Sequence, residues 1–258
     1  AAQGWPGFWL FLSVAVGGYM SAGAANAINM VIDRDIDGTM LRTSKRPTVT
    51  QNISSTNALL FGFILAGLSF AILWAGANLL CAMLSLAGLA FYVVIYTLLL
   101  KRRTWHNIVI GGAAGAFPPL VGWASVTNDL TPLAWVLFGI IFVWTPVHFW
   151  ALALLIKDDY AHAGVPMLPV VHGERATVIQ IVLYAILTAV VSVLPMFEPS
   201  VGWYYLGPAI FMNVVLLLRC IQLYNQIDRP RAVSLYKFSM LYLAVIFLML
   251  AVDRSIGL

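Results

Sequence analysis

The segment Asn29-Met30-Val31-Ile32-Asp33-Arg34-Asp35-Ile36-Asp37 places a carboxamide and two carboxylates at intervals of four residues. On a continuous helix Asn29, Asp33 and Asp37 stack on one face, roughly 6 Å apart along the axis. Three oxygen donors pointing the same way suit Mg²⁺, a hard cation that keeps several waters and is commonly held by one or two carboxylates plus substrate phosphates. A diphosphate is the ligand that chemistry asks for. Gly38 fits a helix stop, and Arg42-Thr43-Ser44-Lys45-Arg46-Pro47 follows with cations beside the acids. A lone acidic cluster at a helix end is more often merely solvated than functional. Here Asn29 lies inside an apolar stretch, where a polar side chain is costly and commonly functional, and that favours a site.

Two further groups fit the same chemistry. Lys157-Asp158-Asp159-Tyr160 offers a second acidic pair, bland by itself but able to face the first from across a bundle, so that two carboxylate sets flank one diphosphate. Tyr96-Thr97-Leu98-Leu99-Leu100-Lys101-Arg102-Arg103 ends an apolar run in three cations. Lys101 and Arg102 can neutralise non-bridging phosphate oxygens, and Tyr96, about a turn further in, can donate a hydrogen bond. The bland reading of Arg103 is a plain stop-transfer anchor.

The elements that must position these groups are membrane spans. The 258 residues are 62% apolar and 9% charged, against about 25% charged in ordinary globular chains. A transmembrane helix needs roughly 20 mostly apolar residues. Eight such stretches fit without overlap, near Phe8–Ile32, Asn57–Gly76, Asn78–Leu100, Asn107–Ser125, Leu133–Ile156, Ala176–Leu194, Trp203–Ile221 and Leu235–Val252. The short alternating segments of a β-barrel are absent, so the predicted fold is all-α, a polytopic transmembrane helical bundle.

Thirteen of the fourteen basic residues fall on one side of that topology, in or beside the first, third, fifth and seventh connections; only Arg254 lies elsewhere. By the positive-inside rule this side is cytoplasmic in a prokaryotic plasma membrane, or matrix-facing in a mitochondrial inner membrane. Asp33, Asp35, Asp37, Asp158, Asp159, Glu174 and Asp228 share it. Acids contribute little to orientation, so their gathering with the bases points to a polar site. The net charge of +4 is used up in these short loops and implies no nucleic-acid partner. Cys81 and Cys220 lie in apolar spans without metal or disulfide spacing and read as packing residues. The start at Ala1, with no initiator Met and no basic segment before the first apolar run, has the look of a processed or truncated end.

With these residues in view, the chain resembles the UbiA superfamily of intramembrane prenyltransferases. The Asn-x-x-x-Asp-x-x-x-Asp pattern carries the superfamily. Gly111-Gly112-Ala113-Ala114-Gly115-Ala116-Phe117-Pro118-Pro119 and Thr145-Pro146-Val147-His148-Phe149-Trp150 resemble its haem-modifying branch, as do Gly122-Trp123, Asp159-Tyr160 and Gly164 to Val171. The resemblance covers nearly the whole chain and implies one domain, residues 1–258, built around a central cavity that opens beside the acidic motifs. The family typically has nine spans; with eight here, the first is expected to be missing and one cavity wall with it.

The resemblance further implies farnesyl transfer from farnesyl diphosphate to a vinyl group of haem b, in the lipid bilayer and with Mg²⁺. Haem A synthase or oxidase assembly proteins are the implied protein partners. In that scheme Asn29, Asp33, Asp37 and Asp159 hold the metal, with Asp158 auxiliary, because the haem branch has an Asp-Tyr pair where other branches carry two acids four apart. Lys101 joins them as a catalytic cation. Arg34, Arg42, Arg46, Tyr96, Arg102 and Tyr160 complete substrate binding. His148 has two readings, a ligand or orienting group for the haem iron, or a packed histidine bonded to a neighbouring helix. Gly111, Gly112 and Gly115 are expected to permit close helix packing. Rival readings are another aromatic or tetrapyrrole acceptor, and an ion-coupled transporter, which should show inverted repeats and midplane polar residues.

Overall fold

The computed structural model describes residues 4–256. Eight of its helices are long and apolar enough to cross a membrane. In chain order the elements are α1 (Phe8–Ile32), α2 (Arg34–Thr39), α3 (Ser55–Gly76), α4 (Leu79–Ala90, continued by π-helical turns Phe91–Leu100), α5 (Asn107–Thr127), α6 (Pro132–Leu155), α7 (Lys157–His162), α8 (Leu168–Val171), α9 (Gly173–Val193, continued as a 3₁₀ turn to Phe197), α10 (Trp203–Asn225) and α11 (Arg229–Ile256). The expected spans are all present. The last begins at Arg229 rather than Leu235 because charged residues extend the helix beyond its apolar stretch.

Side-chain caps set several helix starts. Ser54 accepts from the Asn57 amide at the start of α3, and Asn78 accepts from that of Cys81 at the start of α4. Asn78 also donates to the Ala124 carbonyl at 2.6 Å, fastening the start of α4 to the end of α5. Without a hydrophobic driving force between helices in lipid, close approach depends on small residues. A Cβ on Gly17 would lie 2.6 Å from Leu73 Cγ, and one on Gly62 2.8 Å from Ile28 Cγ1, so α1 and α3 pack almost backbone to side chain.

The larger apolar core runs through α5, α6 and α9 to α11 around the fully buried Trp150, Tyr205 and Tyr242. A smaller core of Leu73, Cys81, Ala82, Val121 and Ala124 joins α3 and α4 to α5. Both cysteines are buried and free, as packing residues should be. The bundle thus has two unequal parts meeting along α5, and the principal cavity lies between them.

Far from the acidic motif, Asp253 near the end of α11 is 2% exposed and accepts the backbone N–H groups of Gly202 (2.7 Å) and Tyr205 (3.0 Å) at the start of α10. It caps a neighbouring helix. Asp253→Ala should cost about 1–2 kcal/mol of stability, read as a lower midpoint of thermal unfolding in detergent, with Asp253→Asn recovering part of the loss.

Candidate active site

The backbone keeps the four-residue spacing aligned despite a break. Helix α1 ends at Ile32 and α2 begins at Arg34, yet the Asp33 amide donates to Asn29 O and the Asp37 amide to Asp33 O, each at 2.8 Å. Asn29, Asp33 and Asp37 therefore remain on one face. All three are buried, at 2%, 0% and 2% exposure. Asn29 Nδ2 donates to Asp33 Oδ2 at 2.6 Å and to Thr97 Oγ1 at 3.2 Å, leaving the amide oxygen as the group able to meet a ligand.

Buried carboxylates need partners. Lys101 pairs with Asp33, and Arg102 lies 3.4 Å from the other Asp33 oxygen while forming a two-pronged pair with Asp35 at 2.6 Å. That guanidinium holds the Asp35 carboxyl well below the usual range, at about 2. Asp37 receives Arg46 at 2.5 Å. Arg46 reaches it because the loop after α2 folds back, with Thr43 Oγ donating to Asp37 O and Thr48 Oγ to Met30 O.

The π-helical turns at the end of α4 bring the other wall. Such wide turns are uncommon and often functional. Here Thr97 donates to the Tyr92 carbonyl five residues back, while Lys101 N donates to Tyr96 O. Tyr96 leans on Gly111 of α5, where a Cβ would come within 2.3 Å of its ring; Gly112 admits Thr145 in the same way, at 2.9 Å. These two glycines of the Gly-Gly-Ala-Ala-Gly string thus make room for cavity-lining side chains.

A cavity of about 760 Å³ opens at this point. At one end it is lined by Asn29, Asp37, Arg42, Arg46, Tyr96, Lys101 and Tyr160, and elsewhere mainly by apolar and small residues of α1, α4, α5 and α6. Arg42 is exposed and has no acidic partner among the described residues, so it is a cation available to a ligand. Burial raises the Tyr160 hydroxyl above its ordinary range and keeps it protonated, as a donor.

Other expected residues sit elsewhere. Asp33 lies behind the cavity wall as the anchor of Lys101, and Arg102 stands outside it against Asp35 and the Ile32 carbonyl. Arg34 is exposed and away from the lining. Asp158 is exposed and Asp159 half-buried; neither lines the cavity, and among the described residues no three acidic, histidine or cysteine side chains converge as a metal cluster would. The later motif therefore enters the cavity wall through Tyr160. His148 stacks between Trp144 and Tyr236, with ring centroids 4.6 and 4.7 Å away, and its Nδ1 is 2.8 Å from Ser239 Oγ.

Several contributors are absent from the sequence reading. Asn26 and Tyr92 line the cavity, Thr97 holds Asn29, and the fully buried Asn107 donates to the Lys101 carbonyl at 3.3 Å. Each is a polar group within or at the edge of an apolar span, the signal that had singled out Asn29.

Comparison with known proteins agrees with this geometry. A protoheme IX farnesyltransferase of Thermus thermophilus is 66% identical over 256 residues, 99% of this chain, although the chain spans only 42% of that protein's length. The protoheme IX farnesyltransferase of Deinococcus radiodurans is 55% identical over 268 residues, covering 99% of this chain and 86% of the relative. The structure of a UbiA homolog from Archaeoglobus fulgidus bound to DMAPP and Mg²⁺ superposes with a TM-score of 0.64 at 18% identity, over 93% of this chain and 88% of that one, a likeness of fold. The model of the UbiA prenyltransferase family matches residues 1–246, and with an acid-lined cavity at one end of eight apolar helices the chain is an integral membrane protein that belongs to that family.

Proposed function

We propose that this chain transfers a farnesyl group from farnesyl diphosphate to a vinyl group of haem b, with its acidic face toward the cytoplasm, or toward the matrix in a mitochondrion. The polarity of this cavity carries the proposal: cations, Asp37, Asn29 and tyrosines at one end and an apolar remainder match a ligand with a charged head and a hydrocarbon tail. Support for haem as acceptor comes from the names of relatives that are 66% and 55% identical.

The donor set fits Mg²⁺. Asn29 and Asp37 offer oxygens to the cavity and would hold the ion with water and diphosphate oxygens; Asp33, on the same face but behind the wall, would join them on giving up its pairing with Lys101. When bound, the metal supplies positive charge against the diphosphate leaving group. Asp159, half-buried next to Tyr160, is an outlying acid in this scheme.

The protein's own groups do the rest. Arg42 binds non-bridging oxygens directly. Lys101 and Arg46, which pair with Asp33 and Asp37 and line the cavity, turn toward phosphate once the acids face a metal. Tyr96 and Tyr160 donate from the side. The allylic C–O bond breaks with its electron pair leaving on diphosphate, the vinyl π electrons attack the resulting carbocation, and water then adds to the new cation on the haem side chain and gives up a proton to the released diphosphate. The apolar wall keeps water from the first cation.

Membranes containing the protein, incubated with haem b, farnesyl diphosphate and Mg²⁺, should yield the hydroxyethylfarnesyl haem, detected by chromatography and mass. Asp33→Ala and Asp37→Ala should each lower turnover by roughly 10²–10³-fold, the scale of losing one preorganised electrostatic contact, and chelation of divalent ions should abolish it. No product from the unaltered protein, or full turnover by Asp33→Ala, overturns the proposal. The cations should separate in kind. Arg42→Ala should raise KM for the diphosphate without changing thermal stability, whereas Lys101→Ala should also destabilise the fold by about 1–3 kcal/mol, because it leaves buried Asp33 with Asn29 and the longer Arg102 contact alone.

A further inference from the structure

Beyond the identity of the head group, we infer that Gly18 of α1 and Phe117 of α5 set how long a prenyl tail the cavity accepts; the inference rests on the prenyltransferase reading above. The α1 residues that line the cavity run Val14, Gly18, Ser21, Ala22, Ala25, Asn26 and Asn29, a stripe down one side of the helix. At the helical rise, Gly18 lies roughly 16 Å and Val14 roughly 22 Å from Asn29 along the axis. The charged lining groups are confined to the Asn29 end, so the Gly18 end receives hydrocarbon.

The two residues act in opposite ways. A Cβ built on Gly18 meets no heavy atom within 4 Å, although the residue borders the cavity: the space in front of it is open, and a larger side chain would fill that space. Phe117 already fills its place. It fits because Gly88 opposite has no side chain; a Cβ there would lie 2.9 Å from Phe117 Cβ. From behind, the ring is braced by Phe138, edge-on with centroids 5.9 Å apart, and by Phe91 at 6.3 Å. Gly88 precedes Lys101 by about the same three turns that separate Gly18 from Asn29, so both residues stand at similar depth. Ser21 Oγ lies 3.5 Å from the Ser85 carbonyl, linking α1 and α4 close to this level. At this depth the Phe117 side is therefore closed by packed rings, while the Gly18 side is open, so a side chain added there takes up space that a prenyl tail would otherwise occupy.

Geranyl, farnesyl and geranylgeranyl diphosphates should be compared as substrates with haem b and Mg²⁺, and as competitors for binding without haem, using the full chain in membranes. Gly18→Leu should move the ratio of kcat/KM for geranyl over farnesyl diphosphate up by roughly ten- to a hundred-fold, and Phe117→Ala should raise geranylgeranyl over farnesyl by a similar factor, the scale expected when hydrocarbon must fit a fixed pocket. Competition binding should shift in the same two directions. An unchanged length profile in the two variants, or an equal loss of all three diphosphates in both, overturns the inference while leaving the prenyltransferase reading intact. If the unaltered protein neither binds nor turns over any of the three, the prenyltransferase reading itself fails.

Discussion

Two carboxylates held out of water govern the design. Asp33 is fully buried and Asp37 nearly so, and an unpaired charge in such a place costs several kcal/mol. Their partners come from separate parts of the chain, Lys101 and Arg102 from beyond the end of α4 and Arg46 from the loop after α2. Satisfying both acids therefore fixes the register of α1 against α4 and folds residues 40–53 back over the end of α1. The same pairs balance Asp33, Asp35 and Asp37 with Lys101, Arg102 and Arg46, and Arg42 lines the cavity without an acidic partner among the described residues.

From that fixed corner the cavity follows. With Lys101 anchored on Asp33, the π-helical turns before it place Thr97 against Asn29 and set Tyr92 and Tyr96 along the wall. Those rings need space on α5, and Gly111 supplies it for Tyr96 as Gly88 supplies it on α4 for Phe117. A membrane bundle packs through small residues in any case. Here the same smallness decides which aromatic side chains reach the cavity, so packing and ligand shape are set by one group of positions.

This division explains what the sequence made legible. All eight spans could be read from their apolar runs, and several of their ends as well, Phe8–Ile32 at both; the start of the last span could not, because charged residues carry that helix back to Arg229, beyond its apolar stretch. The four-residue spacing of Asn29, Asp33 and Asp37 survived the helix break at Asp33, since the backbone bonds continue across it. The later acidic motif was harder. On the short helix α7 a difference of one residue turns the side chain by about 100°, and Tyr160 rather than Asp159 lines the cavity. Thr97 and Asn107 were passed over because a polar residue in a span carries the same cost whether it serves a ligand or a neighbouring helix, and only contacts distinguish the two.

His148 shows the distinction behind the apolar lining of the cavity. Its ring lies between Trp144 and Tyr236 and its Nδ1 meets Ser239 Oγ, while the Ser239 carbonyl accepts the Trp144 indole N–H at 2.8 Å. Trp144 lines the cavity; His148 does not. The histidine thus belongs to a cluster joining α6 to α11 that holds an aromatic wall at a set angle. A diphosphate is recognised by charge, which any suitably placed Arg or Lys can supply and which spacing in the sequence betrays. The apolar wall is a matter of shape, and shape arises from packing between α6 and α11, 91 residues apart at the His148–Ser239 contact. The polar end of the cavity is therefore written in short motifs, and its apolar wall in the assembled bundle.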